Sequence, residues 1–132
     1  MRNINKIKIS ANTKIHQAMK IISNGAIQIA IAVDKKGKLI GTLTDGDIRN
    51  GFLNGLNLDS LVKSIIFKNP IVAKQNYSKE KLLNLALSKK VNQIPVVDKN
   101  NKVKGIYVLD ELLKIKSKSN KVVIMAGGKV WD

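Results

Sequence analysis

The 132-residue chain carries 24 lysines and arginines against 9 acids, a formal net charge of +15, with 44% hydrophobic and 4% aromatic residues. Cysteine is absent and His16 is the single histidine, which excludes disulfides and thiolate metal centres and argues against a catalytic metal or a Ser-His-Asp arrangement. The positive charge is nearly all lysine, scattered along the chain with Arg2 and Arg49 as the arginines; this fits a solvated surface better than a nucleic-acid reader, which uses arginine forks and stacking aromatics.

Residues 4–9 alternate isoleucine with polar residues and predict a short strand. Thr13 is the predicted N-cap of a helix with Ile15, Ala18, Met19 and Ile22 on one apolar face, stopped by Asn24-Gly25. His16 falls beside that face as a surface or boundary residue, and Met19 reads as core filler. Residues 26–33 predict a buried strand, residues 34–37 a tight turn, and residues 39–43 the returning strand of a hairpin. Gly41 would let another backbone approach closely.

Thr44, Asp45, Gly46 and Asp47 then hand the strand over to a helix with Ile48, Phe52 and Leu56 on one face, weakened by Gly51 and Gly55. Two readings of this turn stand side by side. The hydroxyl and carboxylates can simply cap the helix, or, with the free N–H groups of its first turn, they can receive the phosphate and ribose of a nucleotide. Asp59 or Ser60 would cap a brief helical turn through Val62 and Ile65.

The pattern then restarts. Residues 70–72 predict an extended segment, and Pro70 keeps Asn69 out of helical geometry. Ser78 caps a helix with Leu82, Leu85 and Ala86 inward; residues 94–97 form a strand, 98–101 a turn, 103–108 the return strand, and Leu109, Leu112 and Leu113 mark a last helix. Asp34 and Asp98, like Gly41 and Gly105, lie 64 positions apart. The expected fold class is therefore mixed α/β (α+β), two β-α-β-β-α repeats packed as a pseudo-two-fold pair over a single core. The expected units are residues 1–62, 63–116 and 117–132, the lysine- and serine-rich residues 114–121 serving as linker.

A strand ending in Pro95-Val96-Val97-Asp98, a turn, and the Gly41-x-x-Thr44-x-x-Asp47 segment running into a helix resemble the cystathionine-β-synthase (CBS) domain. Two copies at matched spacing resemble a CBS pair, or Bateman module, over about residues 4–113. The resemblance implies a binding module that takes adenine nucleotides (AMP, ADP or ATP) between its repeats, needs no metal, dimerises, and regulates an attached enzyme or transporter. By position, it implies that Thr44 contacts ribose or phosphate and Asp47 the ribose hydroxyls. Ile29, Ala30 and Ile31 would wall the base, Ser10 and Thr13 would line the same cleft, Asp45 would also bind the nucleotide at the turn, and Arg49 would reach phosphate. In the second half Val108 and Glu111 occupy the Thr and Asp positions, so one nucleotide per chain is expected.

Residues 122–129, VVIMAGGK, are similar to the opening strand and glycine-rich loop of sugar-phosphate nucleotidyltransferases, where bare backbone wraps phosphate. Val130, Trp131 and Asp132 stand where that loop continues with Gly, Thr and Arg. The similarity implies a non-catalytic regulatory segment adjoining a C-terminal sugar-1-phosphate nucleotidyltransferase domain. The expected partners are that domain and a second copy of the chain. No apolar run approaches the roughly 20 residues that span a bilayer, and the first residues lack a signal-peptide apolar stretch, so a cytoplasmic location is expected. Two alternatives remain open, a ligand-free structural or dimerising module and a lysine-rich nucleic-acid binder.

Overall fold

The β-α-β-β-α order written twice in the sequence is folded twice in the computed structural model, which describes residues 1–25 and 27–120, with side chains described through Lys114. The first repeat runs β1 (Lys8–Ile9), α1 (Ile15–Asn24), β2 (Ile29–Val33), β3 (Leu39–Thr44) and α2 (Asp45–Leu53). After a single 3-10 turn (Val62–Ser64), the second runs β4 (Ala73–Lys74), α3 (Lys79–Lys89), β5 (Gln93–Val97), β6 (Val103–Val108) and α4 (Leu109–Asn120). The two sheets have the orders β1-β2-β3 and β4-β5-β6, each with a parallel pair followed by an antiparallel hairpin. Even the register irregularity repeats, at Ala32/Val33 and at Val96/Val97.

The two hairpin turns are chemically alike. Asp34 Oδ1 accepts from the N–H groups of Lys36 (2.8 Å) and Lys38 (2.9 Å), and Asp98 Oδ1 from those of Asn100 (2.8 Å) and Lys102 (3.0 Å). Gly37 and Asn101 supply the positive φ, 83° and 66°. The Lys38 N–H, helped by that of Lys36, holds the Asp34 carboxyl below the usual carboxylate range, and the Lys102 N–H, helped by that of Asn100, does the same for Asp98. A depressed folded-state pKa contributes stability that is full above the ordinary aspartate value and lost as pH falls through the folded value. Thermal melts should therefore drop on acidification below about pH 4, and the Asp34→Asn/Asp98→Asn double variant should show a shallower drop.

Alternation along β2 decides where the core sits. Ala30 and Ala32 face α1 and α2 in a first cluster with Ile9, Ile15, Ile22, Leu43 and Ile48. Ile29, Ile31 and Val33 face the other way, into a second cluster with Ile4, Ile7 and Ile106 that joins the repeats. Leu82, Leu83, Ala86, Ile94, Val96 and Leu112 build a third under α3 and α4. The single shared core expected from the sequence is thus corrected: each repeat keeps an interior of its own, and the sheets meet over another.

The repeats also exchange backbone. The N–H and C=O of Arg2 pair with those of Ile106 on the outer edge of β6 (2.9 and 2.8 Å), and those of Phe67 pair with Thr42 on the outer edge of β3 (2.9 and 3.0 Å). Each repeat's leading segment thereby covers the exposed edge of the other's last strand. The glycines make this possible. A Cβ on Gly41 would run into the Phe67 carbonyl, and one on Gly105 would come within 2.7 Å of the Arg2 carbonyl oxygen.

Several local expectations are corrected. Of residues 4–9 only Lys8–Ile9 forms strand, although Ile4 and Ile7 are buried. The extended segment at 70–72 pairs only from Ala73 onward, and β2 starts at Ile29, after Gln28 at φ 56°. Thr13 does not cap α1: Lys14 holds that position, its N–H donating to Gln17 Oε1 (3.1 Å), while Thr13 Oγ1 accepts from the Ser10 N–H. Met19 and Phe52 are 38% and 37% exposed; Gly51 lies inward instead, where an added Cβ would meet Ile65 at 3.0 Å. Ser60 Oγ accepts from the Asn57 N–H rather than capping the 3-10 turn. Ser78 does cap α3, accepting from the Lys81 N–H at 3.1 Å. Residues 114–120 continue α4 instead of forming a linker, and the strand and glycine turn expected at 122–129 lie outside the described residues. Among the described residues no helix is long and apolar enough to cross a membrane.

Candidate functional site

β3 carries Thr42 and Thr44 on one face, two residues apart, and ends where α2 begins. Thr44 is the N-cap. Its Oγ1 accepts from the Asp47 N–H (3.5 Å) and donates to Asp47 Oδ2 (3.1 Å), while the Thr44 N–H also donates to Oδ2 (3.0 Å). The capping reading of this turn is therefore realised. It also orients the acid: these bonds converge on Oδ2, so Oδ1 is left to accept from elsewhere.

In front of Thr44 lies a cleft of about 340 Å³ between the repeats, within the size range of small-molecule sites. One wall is Ile29, Thr42 and Thr44 from the first repeat; another is Phe67, Asn69, Pro70 and Ile71; the third is Val91, Asn92, Gln93 and Pro95. The middle wall follows from two constraints already described, the pairing of Phe67 with Thr42 and the extended geometry imposed ahead of Pro70. Gln93 Nε2 donates to the Ile27 carbonyl (3.1 Å) and ties the third wall to the first repeat.

Of the sequence candidates, Ile29 and Thr44 line this cleft, and Asp47 stands behind Thr44, hydrogen-bonded to it without lining the cleft itself; the others lie elsewhere. Asp45 and Arg49 are exposed on α2. Ala30 and Ile31 are fully buried, Ala30 beneath the helices and Ile31 between the repeats, because alternate β2 residues face opposite cores; neither lines the cleft. Ser10 and Thr13 line a separate hollow of about 520 Å³ with Lys8, Asp34 and Lys35. β1 pairs Ile9 with Ala32, so Ser10 emerges at the Val33 end of β2, whereas Thr44 pairs with Ile29 at the other end. The walls at 67–71 and 91–95 were missed; the Asn69-Pro70 pair opening the second half was the available signal.

The equivalent cleft of the second repeat is chemically different. Val108 replaces the hydroxyl, and Glu111 at the acid position is tied to Arg2, whose Nε donates to Oε2 at 3.0 Å. Among the described residues no cluster of His, Cys, Asp or Glu could hold a metal ion.

A family model described as "CBS domain" matches residues 1–54 and 62–118. Inosine-5'-monophosphate dehydrogenase of Aquifex aeolicus (strain VF5) is 28% identical over 118 residues, which cover 89% of this chain and 24% of that protein. The chain spans between 15% and 33% of the length of the curated relatives it matches. Among solved structures, CBSX2 in complex with AMP superposes with a TM-score of 0.78 at 18% identity, over 92% of this chain and 95% of that one. The CBS domain pair of protein MJ0100 in complex with 5'-methylthioadenosine and S-adenosyl-L-methionine gives 0.73 at 24% identity, over 86% and 89%. Both show the same fold.

Proposed function

Because this chain belongs to the CBS domain family and carries two repeats, we propose that it is a regulatory module binding one adenine nucleotide, AMP, ADP or ATP, in the cleft that ends at Thr44 and Asp47. The observation that carries this reading is that Thr44, the N-cap of α2 and the hydrogen-bond partner of the Asp47 carboxylate, lies in the wall of a cleft lined mostly by apolar residues. Asp47 Oδ1 accepts the ribose hydroxyls, about 1.5–3 kcal/mol for each charge-assisted bond. The N-terminus of α2 favours the phosphate by about 0.3–1 kcal/mol, and Ile29, Pro70 and Ile71 flank the base. The adenosine ligands named for the two solved pairs support the same class.

The module then modulates an attached C-terminal sugar-1-phosphate nucleotidyltransferase, a reading supported by the VVIMAGGK segment that follows α4. A nucleotide shifts that enzyme only by as much as it prefers one arrangement of the module over another. Dimerisation of the chain is supported by apolar residues exposed on or beside the helices, among them Met19, Leu58, Leu87 and Leu113. The cell compartment in keeping with a nucleotide ligand is the cytoplasm.

Calorimetry with AMP, ADP and ATP tests the binding reading. One site per chain is expected, with about 2.7 kcal/mol of added stability at a hundredfold excess over Kd. Two equivalent sites would contradict the role given to Val108 and Glu111, and no response to any of the three would end the nucleotide reading.

A further inference from the structure

Thr42 is the one polar residue buried among the described ones, at 6% exposure. Its N–H and C=O both pair with Phe67, yet its hydroxyl makes no hydrogen bond to any described residue. It lines the candidate cleft. A buried hydroxyl without a partner is unfavourable, and the fold does not require one. The matching position of the second repeat is Ile106, fully buried and paired with Arg2 through the same backbone bonds. An aliphatic residue thus satisfies the architecture, and the hydroxyl calls for a partner from outside the protein.

We infer that Thr42 reads the ligand, its hydroxyl hydrogen-bonding the heterocyclic edge of the nucleotide base. The inference rests on the nucleotide reading above. Thr42 stands two residues before Thr44 on the same face, about 7 Å along the strand, on the side away from the N-terminus of α2. With ribose and phosphate held at Thr44 and Asp47, that distance places Thr42 at the base. A hydroxyl both donates and accepts, so it pairs with a ring nitrogen or an exocyclic amine. A base lacking such an atom would leave the hydroxyl orphaned, and a site built this way discriminates by that loss.

The test is calorimetry with AMP, ADP and ATP, together with thermal melts of the ligand-free chain, for the wild type, Thr42→Val, Thr42→Ser and Asp47→Ala. Thr42→Val should melt at or above the wild type without ligand, because no bond within the protein is lost. It should bind the preferred nucleotide about tenfold more weakly, while Thr42→Ser retains affinity to within about threefold. Unchanged affinity in Thr42→Val, with Asp47→Ala impaired, would overturn the inference and leave the site standing. A lower ligand-free melt for Thr42→Val would also overturn it, by showing that the hydroxyl serves the protein. Wild-type protein that binds none of the three would bring down both readings.

Discussion

Gly41→Ala should cost the fold about 3 kcal/mol and lower the melting temperature by about 10–20 °C. The added Cβ points at the Phe67 carbonyl and the Ile66 side chain. The first obstacle is backbone, so no rotamer change relieves it. Either the strain persists, at about 1–3 kcal/mol, or residues 66–67 retreat from β3 and give up both bonds to Thr42, about 0.5–1.5 kcal/mol each. Retreat would also remove the wall made by Phe67, Asn69, Pro70 and Ile71, so ligand affinity should fall with stability. Gly46→Ala is the control: the nearest atom to its added Cβ is Thr44 Oγ1 at 3.7 Å, and in the first turn of α2 alanine should be neutral or slightly stabilising. Chemical denaturation of both variants decides the matter. If Gly41→Ala unfolds at the wild-type midpoint, the exchanged segment is not what joins the repeats at this edge.

Asp47→Ala should weaken nucleotide binding by about a hundredfold while lowering the stability of the ligand-free chain far less. The binding loss is that of one to two charge-assisted bonds to the ribose diol, about 1.5–3 kcal/mol each. The stability loss is that of a helix cap, about 1 kcal/mol, since Oδ2 accepts from both the N–H and the hydroxyl of Thr44. The capping role and the ligand role fall on different oxygens of one carboxylate, so the measurements separate. Asp47→Asn should keep much of the cap and lose most of the affinity, because the amide is a weaker, uncharged acceptor. An Asp47→Ala chain that binds as tightly as the wild type would place the ribose elsewhere.

What the sequence made legible was local and written twice. The Asp34 and Asp98 turns and the glycines at 41 and 105 recur at one spacing, so the second copy checks the first; the Thr44-to-Asp47 handover is local, though its counterpart carries Val108 and Glu111 instead. The cleft was less legible because its walls come from segments far apart in the chain, Ile29 and Thr42 against Pro70 and Gln93. Ala30 and Ile31 were misplaced for another reason. All five residues of β2 are buried and apolar; the alternation of Ile29 and Ile31 with Ala30 and Ala32 separates two faces, but with no polar residue in the run it does not say which positions open on the cleft. Ser10 and Thr13 were assigned to the cleft by their nearness to a strand–helix junction, but that junction lies at the far end of the sheet. Thr42 stood in plain view beside Gly41. Only burial, and the isoleucine at its counterpart, show that its hydroxyl is out of keeping with its surroundings.

The reciprocal clasp of Arg2 on β6 and Phe67 on β3 bears on how the chain comes to be folded at all. As it leaves the ribosome, the first half has a bare strand edge that waits for residue 67, and an N-terminal arm whose seat, at residue 106, has yet to be made. Neither half can close by itself, so commitment to the native state comes late and depends on contacts of long sequence separation. In the interval, one molecule's arm fits the vacant edge of another as well as its own. Domain-swapped assemblies are the natural misfolding product of this architecture.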